Sequence, residues 1–130
     1  MDRTACAWLI KRYIDEAAEF HFAPTETVLA EADRLDAVPF DVPGVVFGHH
    51  DGRCSFDALV ERYGFKERAM QKMAEIVRGA DGLVPNPVPE SIELIAYIND
   101  LAAQRTGDAE RVTAMMPVFD AMLEKIKQRN

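Results

Sequence analysis

The residues best suited to chemistry lie close together between positions 48 and 57. This stretch holds two of the three histidines, His49 and His50, together with Cys54 and Asp57. Glycines on both sides of the histidines let the backbone bend so that neighbouring side chains can converge. Imidazole, thiolate and carboxylate groups suit a borderline transition metal such as zinc or iron better than magnesium. We therefore predict a metal site in which His49, His50 and Cys54 are the ligands, with Asp57 or Asp15 as a carboxylate that binds the metal or lies beside it.

The same stretch matches no recognised ligand spacing, so its residue types leave other interpretations open. His-His pairs occur in ordinary loops, and a small buried cysteine is usually a packing residue. A second hypothesis makes Cys54 a catalytic thiolate, because it directly precedes a helix that we predict to begin near Ser55. The helix dipole and the neighbouring Arg53 and His50 would then lower the pKa of its thiol. The chain lacks a flavin or nicotinamide fingerprint, so we expect no nucleotide cofactor, and electrons would come from a small thiol or a bound metal.

Length and composition limit the class of protein. The chain has 130 residues, of which 48% are hydrophobic and 28% charged, and this predicts one soluble globular domain over residues 1–130. The net charge of −7 opposes direct nucleic-acid binding, which needs a concentrated basic surface. No apolar run approaches a membrane span, and no signal peptide is evident, so we expect a cytoplasmic protein without membrane contact. In that compartment Cys6 and Cys54 would be free thiols.

Hydrophobic periodicity predicts a mainly helical α+β fold, a compact helical domain with a small two- or three-stranded β element in its N-terminal half. The apolar residues repeat at helical spacing in six segments, 3–14, 25–36, 55–63, 66–78, 89–102 and 108–128. The predicted extended pieces are 19–23, 37–41 and 45–47. Ser55 is the expected N-cap of the third helix, and Pro117 predicts a kink in the last.

Three further patterns concern packing. In the first helix Cys6, Leu9, Ile10 and Tyr13 form an apolar stripe, and Trp8 lies off it. The methionines of the last helices stand at core-like spacings, so we interpret them as packing residues and not as metal ligands. A second apolar stripe over residues 92–102 either closes the core or forms a homodimer interface, and we favour the core.

Four motifs follow one another in the order of a known family. They are Asp2-Arg3-Thr4-Ala5-Cys6-Ala7-Trp8 with its continuation to Asp15, Pro39-Phe40-Asp41-Val42-Pro43-Gly44, Gly48-His49-His50 through Cys54 to Leu59, and Ile76-Val77-Arg78-Gly79-Ala80-Asp81. Together they resemble the chromate-resistance protein family, the C-terminal domain of ChrB-type regulators, over residues 2–82. The resemblance implies a role in chromate or metal stress. Because the chain is acidic and begins at the domain's opening motif, we do not expect it to contact DNA itself.

The resemblance also selects individual residues. The matching positions able to carry chemistry are Arg3, Cys6, Asp15, His49, His50, Cys54, Asp57, Arg78 and Asp81. Chromate is a dianion that the net charge would repel, so binding it requires a local cationic pocket. Arg3 and Arg53, with protonated histidines, are available for that pocket, and Arg78 is a third arginine that could bind an anion. Arg3, Asp15, Arg78 and Asp81 suit a buried ion-pair network equally well.

Three hypotheses remain for the function. The first, which we favour, is a sensor domain that binds a metal ion or an oxyanion through its His-His-Cys loop. The second is a thiol- or metal-dependent redox enzyme acting on an oxidised species, and the sequence leaves open whether the protein is an enzyme. The third is a non-catalytic interaction module that forms a homodimer.

Overall fold

Six α-helices supply the regular structure of this computed structural model, which describes residues 1–41, 45–48, 52–104 and 106–129. A π-helical turn over Ile10–Ile14 continues the first helix. None of the helices in the described ranges is long and apolar enough to cross a membrane. The helices are α1 (Asp2–Leu9), α2 (Val28–Leu35), α3 (Ser55–Arg62), α4 (Arg68–Ala80), α5 (Pro89–Ala103) and α6 (Asp108–Arg129).

Helix α1 is the centre of the hydrophobic core. It packs against α3, α4 and α6, and its residues from Thr4 to Leu9 are all buried. Trp8 is fully buried and stacks on Phe56 of α3, with 6.3 Å between ring centroids, while Phe119 of α6 lies 5.6 Å away. The expected single stripe was wrong in two places, since Trp8 belongs to the core and Tyr13 is 45% exposed. A helix with neighbours on several sides buries most of its circumference, and the π-helical turn alters the direction of the side chains that follow.

The predicted β element is wrong. No strand occurs among the described residues, so the domain is all-helical there. Residues 19–23 have no regular structure, although Phe20 packs edge-on against Phe40 at 6.4 Å. Asp41 has a φ of 56°, which a strand does not allow, and Gly48 closes a turn onto the carbonyl of Val45 at 3.2 Å. Short polar–apolar alternation here places aromatic rings against the core without any pairing of strands.

The C-terminal half is a helical layer formed by α4, α5 and α6. Met70, Met73, Met115 and Met122 are buried in it, which agrees with the prediction that they are packing residues. Helix α6 continues through Pro117.

Helix α5 packs on α4 and more lightly on α6, and it departs from the predicted stripe over residues 92–102. Its buried residues are Ser91 and Leu94, whereas Ile92 is 58% exposed and Tyr97 47% exposed. The prediction that this stripe closes the core therefore fails for Ile92.

Helix α2 stands apart from the bundle. It packs against no other helix in the described part of the chain, and none of its residues is buried. The amphipathic pattern correctly predicted a helix here, but that apolar face lines a cavity and does not reach the core.

Candidate functional site

The N-terminus of α3 is bound by a buried carboxylate from α1. Asp2 is 2% exposed, and its two oxygens accept hydrogen bonds from the backbone N–H groups of Ser55 at 2.8 Å and Phe56 at 2.9 Å. The first N–H groups of a helix have no partner within the helix and carry a partial positive charge, so a carboxylate is well placed there. The Cys6 thiol, one turn further along α1, donates to the same carboxylate at 3.6 Å.

A second buried carboxylate joins α3 to α4. Asp57 accepts two hydrogen bonds from the Arg78 guanidinium, at 2.7 and 3.0 Å, in a bidentate ion pair. It also accepts the backbone N–H of Cys54 at 3.0 Å and the Cys54 thiol at 3.3 Å. Cys54 is therefore the N-cap residue of α3, and the expected cap, Ser55, is the first residue of the helix. Hydrogen bonds and the charge of Arg78 lower the pKa of Asp57, although burial acts in the opposite direction.

A third carboxylate, Asp41, lies on the other side of the same helix terminus. Its oxygens contact the Arg3 Nε at 3.3 Å and accept the Ser55 hydroxyl at 3.5 Å. Arg3 also binds Asp108 at 3.2 Å, so it links the loop to the start of α6. Burial, together with the negative charge of Asp2, raises the pKa of Asp41 to about 6. This carboxyl therefore gains its proton at a much higher pH than an ordinary aspartate.

We call this arrangement the α3 N-terminal cluster and define it as Asp2, Arg3, Cys6, Asp41, Cys54, Asp57 and Arg78. Both cysteines are free thiols. Burial, and then the charge of Asp2, raise the pKa of Cys6 and of Cys54 well above the ordinary value. The expected lowering of the Cys54 pKa by the helix dipole was wrong, because burial of the thiol and the nearby charge of Asp2 raise that pKa instead. Both thiols are protonated at neutral pH in this arrangement.

The structure brings together some of the predicted site residues and leaves others apart. Arg3, Cys54, Asp57 and Arg78 meet in the cluster. Arg53 lies at the surface and pairs with Glu61 at 3.2 Å.

Asp15 is exposed at the end of the π-helical turn, where its carboxylate accepts the backbone N–H of Ala17 at 3.0 Å. The predicted ligands His49 and His50, and Asp51 between them and Cys54, lie outside the described residues. Across the described ranges, no three His, Cys, Asp or Glu side chains form a group that could hold a metal ion.

The alternative prediction was one buried ion-pair network of Arg3, Asp15, Arg78 and Asp81, and its two arginines both form ion pairs with aspartates that the prediction did not name. Arg78 binds Asp57, and Arg3 binds Asp41 and Asp108. The charge of Asp81 further raises the pKa of Asp41.

Sequence reasoning missed two central members of the cluster, Asp2 and Asp41. Both were inside the motifs that carry the family resemblance, but no local spacing connects either of them to position 54. Asp2 is 53 residues from Ser55, and such a contact depends on how α1 and α3 pack. The presence of both aspartates in family motifs was the one usable signal.

Comparison with known proteins identifies the family. The family model described as ChrB, C-terminal domain, matches residues 1–126, well past the motifs that end near residue 82. Protein ChrB of Cupriavidus metallidurans is 32% identical over 127 residues, covering 97% of this chain and 34% of that protein. This chain thus spans about a third of the relative's length. No solved structure matches. The chain belongs to the family of the ChrB C-terminal domain, the chromate-resistance family that its motifs resemble.

Proposed function

We propose that this domain senses chromate or metal stress by binding a transition metal ion, zinc or iron, at Cys54 together with His49 and His50. The observation that carries the proposal is the position of Cys54 at the N-cap of α3. Its thiol lies 3.3 Å from Asp57, which is bound in turn to Arg78 of α4. A ligand that takes the Cys54 sulfur would therefore alter contacts shared by two core helices. Such coupling is what a sensor requires of its site.

The negative charge of the cluster favours a metal cation over a bare oxyanion as the ligand of Cys54, and His49 and His50 would complete a ligand set that the described residues do not form alone. Each arginine predicted to bind an anion already has a carboxylate partner, since Arg3 pairs with Asp41, Arg53 with Glu61 and Arg78 with Asp57. An oxyanion would have to displace these carboxylates in a protein of net charge −7. A cation would instead meet buried carboxylates and thiols, and would take the place of the thiol proton. Asp15 is not needed in this scheme because it is engaged with Ala17 at the surface.

The protonated state of Cys54 favours a sensor over a thiol enzyme. A nucleophilic cysteine depends on a lowered pKa, whereas burial raises the pKa of Cys54. Metal binding would then release a proton, so affinity should rise with pH.

Metal content measured by elemental mass spectrometry tests the proposal. We expect about one zinc or iron per wild-type chain after incubation and dialysis, and loss of that metal in Cys54→Ser and His50→Ala. Serine preserves an N-cap side chain at position 54, so Cys54→Ser separates ligation from capping. His21→Ala is the matched control, because His21 is an exposed histidine that the proposal does not use. Full metal retention in Cys54→Ser, or no metal in the wild type, would contradict the proposal.

The interaction-module hypothesis keeps one specific observation in its favour, the exposed face of α5. Ile92 is 58% exposed, and Ala96, one turn further along the same face, is exposed as well. As the second candidate we propose a homodimer formed through this face. Light scattering at micromolar concentration should give twice the chain mass for the wild type and for Ala30→Glu on the exposed side of α2, and the monomer mass for Ile92→Glu. A monomeric wild type would remove this candidate.

A further inference from the structure

A cavity of about 650 Å³ lies between α2 and the rest of the protein, and Arg3 of the α3 N-terminal cluster is part of its lining. One wall is formed by the apolar face of α2, with Val28, Ala32 and Leu35. Because α2 packs against no other helix in the described ranges, non-helical residues from 18–23 and 37–40 share the cavity lining with this face. The volume lies within the range of about 300–1,000 Å³ typical of sites for small organic molecules.

The opposite wall is aromatic. Phe20 and Phe40 meet edge-on at 6.4 Å, and Phe47 stacks on Tyr63 with 6.3 Å between ring centroids. Tyr63 is half exposed, so the cavity reaches the surface. The faces of such rings carry partial negative charge and attract organic cations.

The charged groups around the cavity also favour a positively charged ligand. Its lining includes three carboxylates, those of Asp15, Glu19 and Glu31, against the two guanidinium groups of Arg3 and Arg34. Both arginines are already paired with carboxylates, Arg3 with Asp41 at 3.3 Å and Arg34 with Glu31 at 2.8 Å. The net charge of −7 adds a long-range field that attracts cations.

We propose that this cavity binds a hydrophobic organic cation, one with aromatic or bulky apolar groups around a positive centre. Its apolar groups would lie between α2 and the aromatic wall, and its charge would face Asp15 and Glu19 at the mouth. Binding would then hold α2 against the protein through the ligand.

Two ions of the same shape and opposite charge test the proposal directly. Tetraphenylphosphonium and tetraphenylborate each carry four phenyl rings, so calorimetric titration of the intact chain with both separates charge from apolar surface. We expect saturable one-to-one binding of the phosphonium, at least about tenfold tighter than that of the borate. The double variant Asp15→Asn with Glu19→Gln should weaken the phosphonium by about threefold to tenfold and leave the borate unchanged or tighter.

A pair of tryptophan variants in α2 tests the location. Ala32→Trp fills the cavity and should lower phosphonium affinity at least about tenfold. Leu29→Trp adds the same side chain to the same helix at an exposed position outside the lining, and it should bind as the wild type does. Circular dichroism checks that both variants fold, and if Ala32→Trp does not, the double carboxylate variant decides. Equal affinity for the two ions, equal loss in the two tryptophan variants, or no binding by the wild type would each overturn the proposal.

Discussion

At the scale of single residues, the ion pair between Asp57 and Arg78 is the contact most sensitive to substitution. Asp57 is 1% exposed and serves two partners, the guanidinium of Arg78 and the backbone of Cys54. Replacing it by Asn would place an amide N–H against the guanidinium and leave the buried side of that charge without its anion. We expect Asp57→Asn to lower the free energy of unfolding by about 2–4 kcal/mol in urea titrations.

The matched control for this substitution is Glu61→Gln, which removes the carboxylate that pairs with Arg53. Both members of that pair are exposed. The same titrations should therefore show a change below about 0.5 kcal/mol. Similar losses in the two variants would mean that the Asp57 pair is energetically an ordinary surface contact.

Asp41 gives the stability a distinct dependence on pH. Its pKa in the folded protein is about 6, above the ordinary value of 3.8, so folding favours the protonated carboxyl. That contribution is fully present below about pH 4 and is lost as the pH rises through 6. Asp41→Asn removes the titration, and asparagine tolerates the positive φ of this position.

We therefore expect the wild type to lose roughly 2 kcal/mol relative to Asp41→Asn between pH 4.5 and pH 7.5. Urea unfolding at several pH values measures this difference. The lowered pKa of Asp57 gives a contribution to stability that is lost on acidification. Both proteins contain Asp57, so this contribution cancels in the difference between them. Parallel pH profiles for the two proteins would show that Asp41 titrates as an ordinary aspartate.

These residues also show how much of the site the sequence could predict. Cys54, Asp57, Arg3 and Arg78 were selected from motifs, and they do meet. Their roles were not predictable, because each depends on a partner supplied by another helix. Burial of the thiol and then the charge of Asp2, more than fifty residues away in the sequence, raise the pKa of Cys54.

At the scale of elements, helices α4 and α5 approach each other closely at Gly79. A Cβ added there would lie 2.6 Å from the Ser91 Oγ and 3.2 Å from the Pro87 Cβ. The Ser91 hydroxyl cannot simply turn away, because it is buried and donates to the carbonyl of Ile76 at 2.7 Å. Gly79→Ala should therefore lower the melting temperature and cost about 1–3 kcal/mol of stability.

Gly107→Ala is the control for that substitution. A Cβ at Gly107 meets only the Glu110 Oε1, at an ordinary 3.8 Å. Calorimetric unfolding should leave this variant within about 0.5 kcal/mol of the wild type. If Gly79→Ala were as stable as Gly107→Ala, α4 and α5 would have room to separate and the close packing would not be needed.

Periodicity predicted the helices correctly, whereas the predicted strands do not occur among the described residues. Six helical segments were expected, and the described part of the chain contains six α-helices, with ends that shift by a few residues. Hydrophobic periodicity shows that a segment is amphipathic. An amphipathic helix makes its backbone hydrogen bonds internally, so any apolar surface that covers its apolar face stabilises it. A strand needs a neighbouring strand to accept its hydrogen bonds, and five alternating residues such as 19–23 do not specify one.

At the scale of the whole molecule, the described residues divide into a packed bundle and a peripheral helix. Helices α1, α3, α4 and α6 share one core, whereas α2 borders a cavity and buries no residue. Local opening costs little where few apolar contacts must break, so stability should differ strongly between these parts. We expect hydrogen exchange, followed by mass spectrometry of peptides, to show α2 amides opening for less than about 2 kcal/mol. Peptides from α1 should exchange only through global unfolding.

The same experiment connects this division to the proposed cation site. Saturating tetraphenylphosphonium should slow exchange in α2 while leaving peptides from α5 unchanged, because α5 does not line the cavity. The stabilisation of α2 should grow with the logarithm of ligand concentration, as expected when a ligand binds the closed form only. Slowing in both helices would indicate a general effect of the ion on the protein. Protection of α2 equal to that of α1 without any ligand would mean that α2 belongs to the cooperative core despite its lack of helix packing.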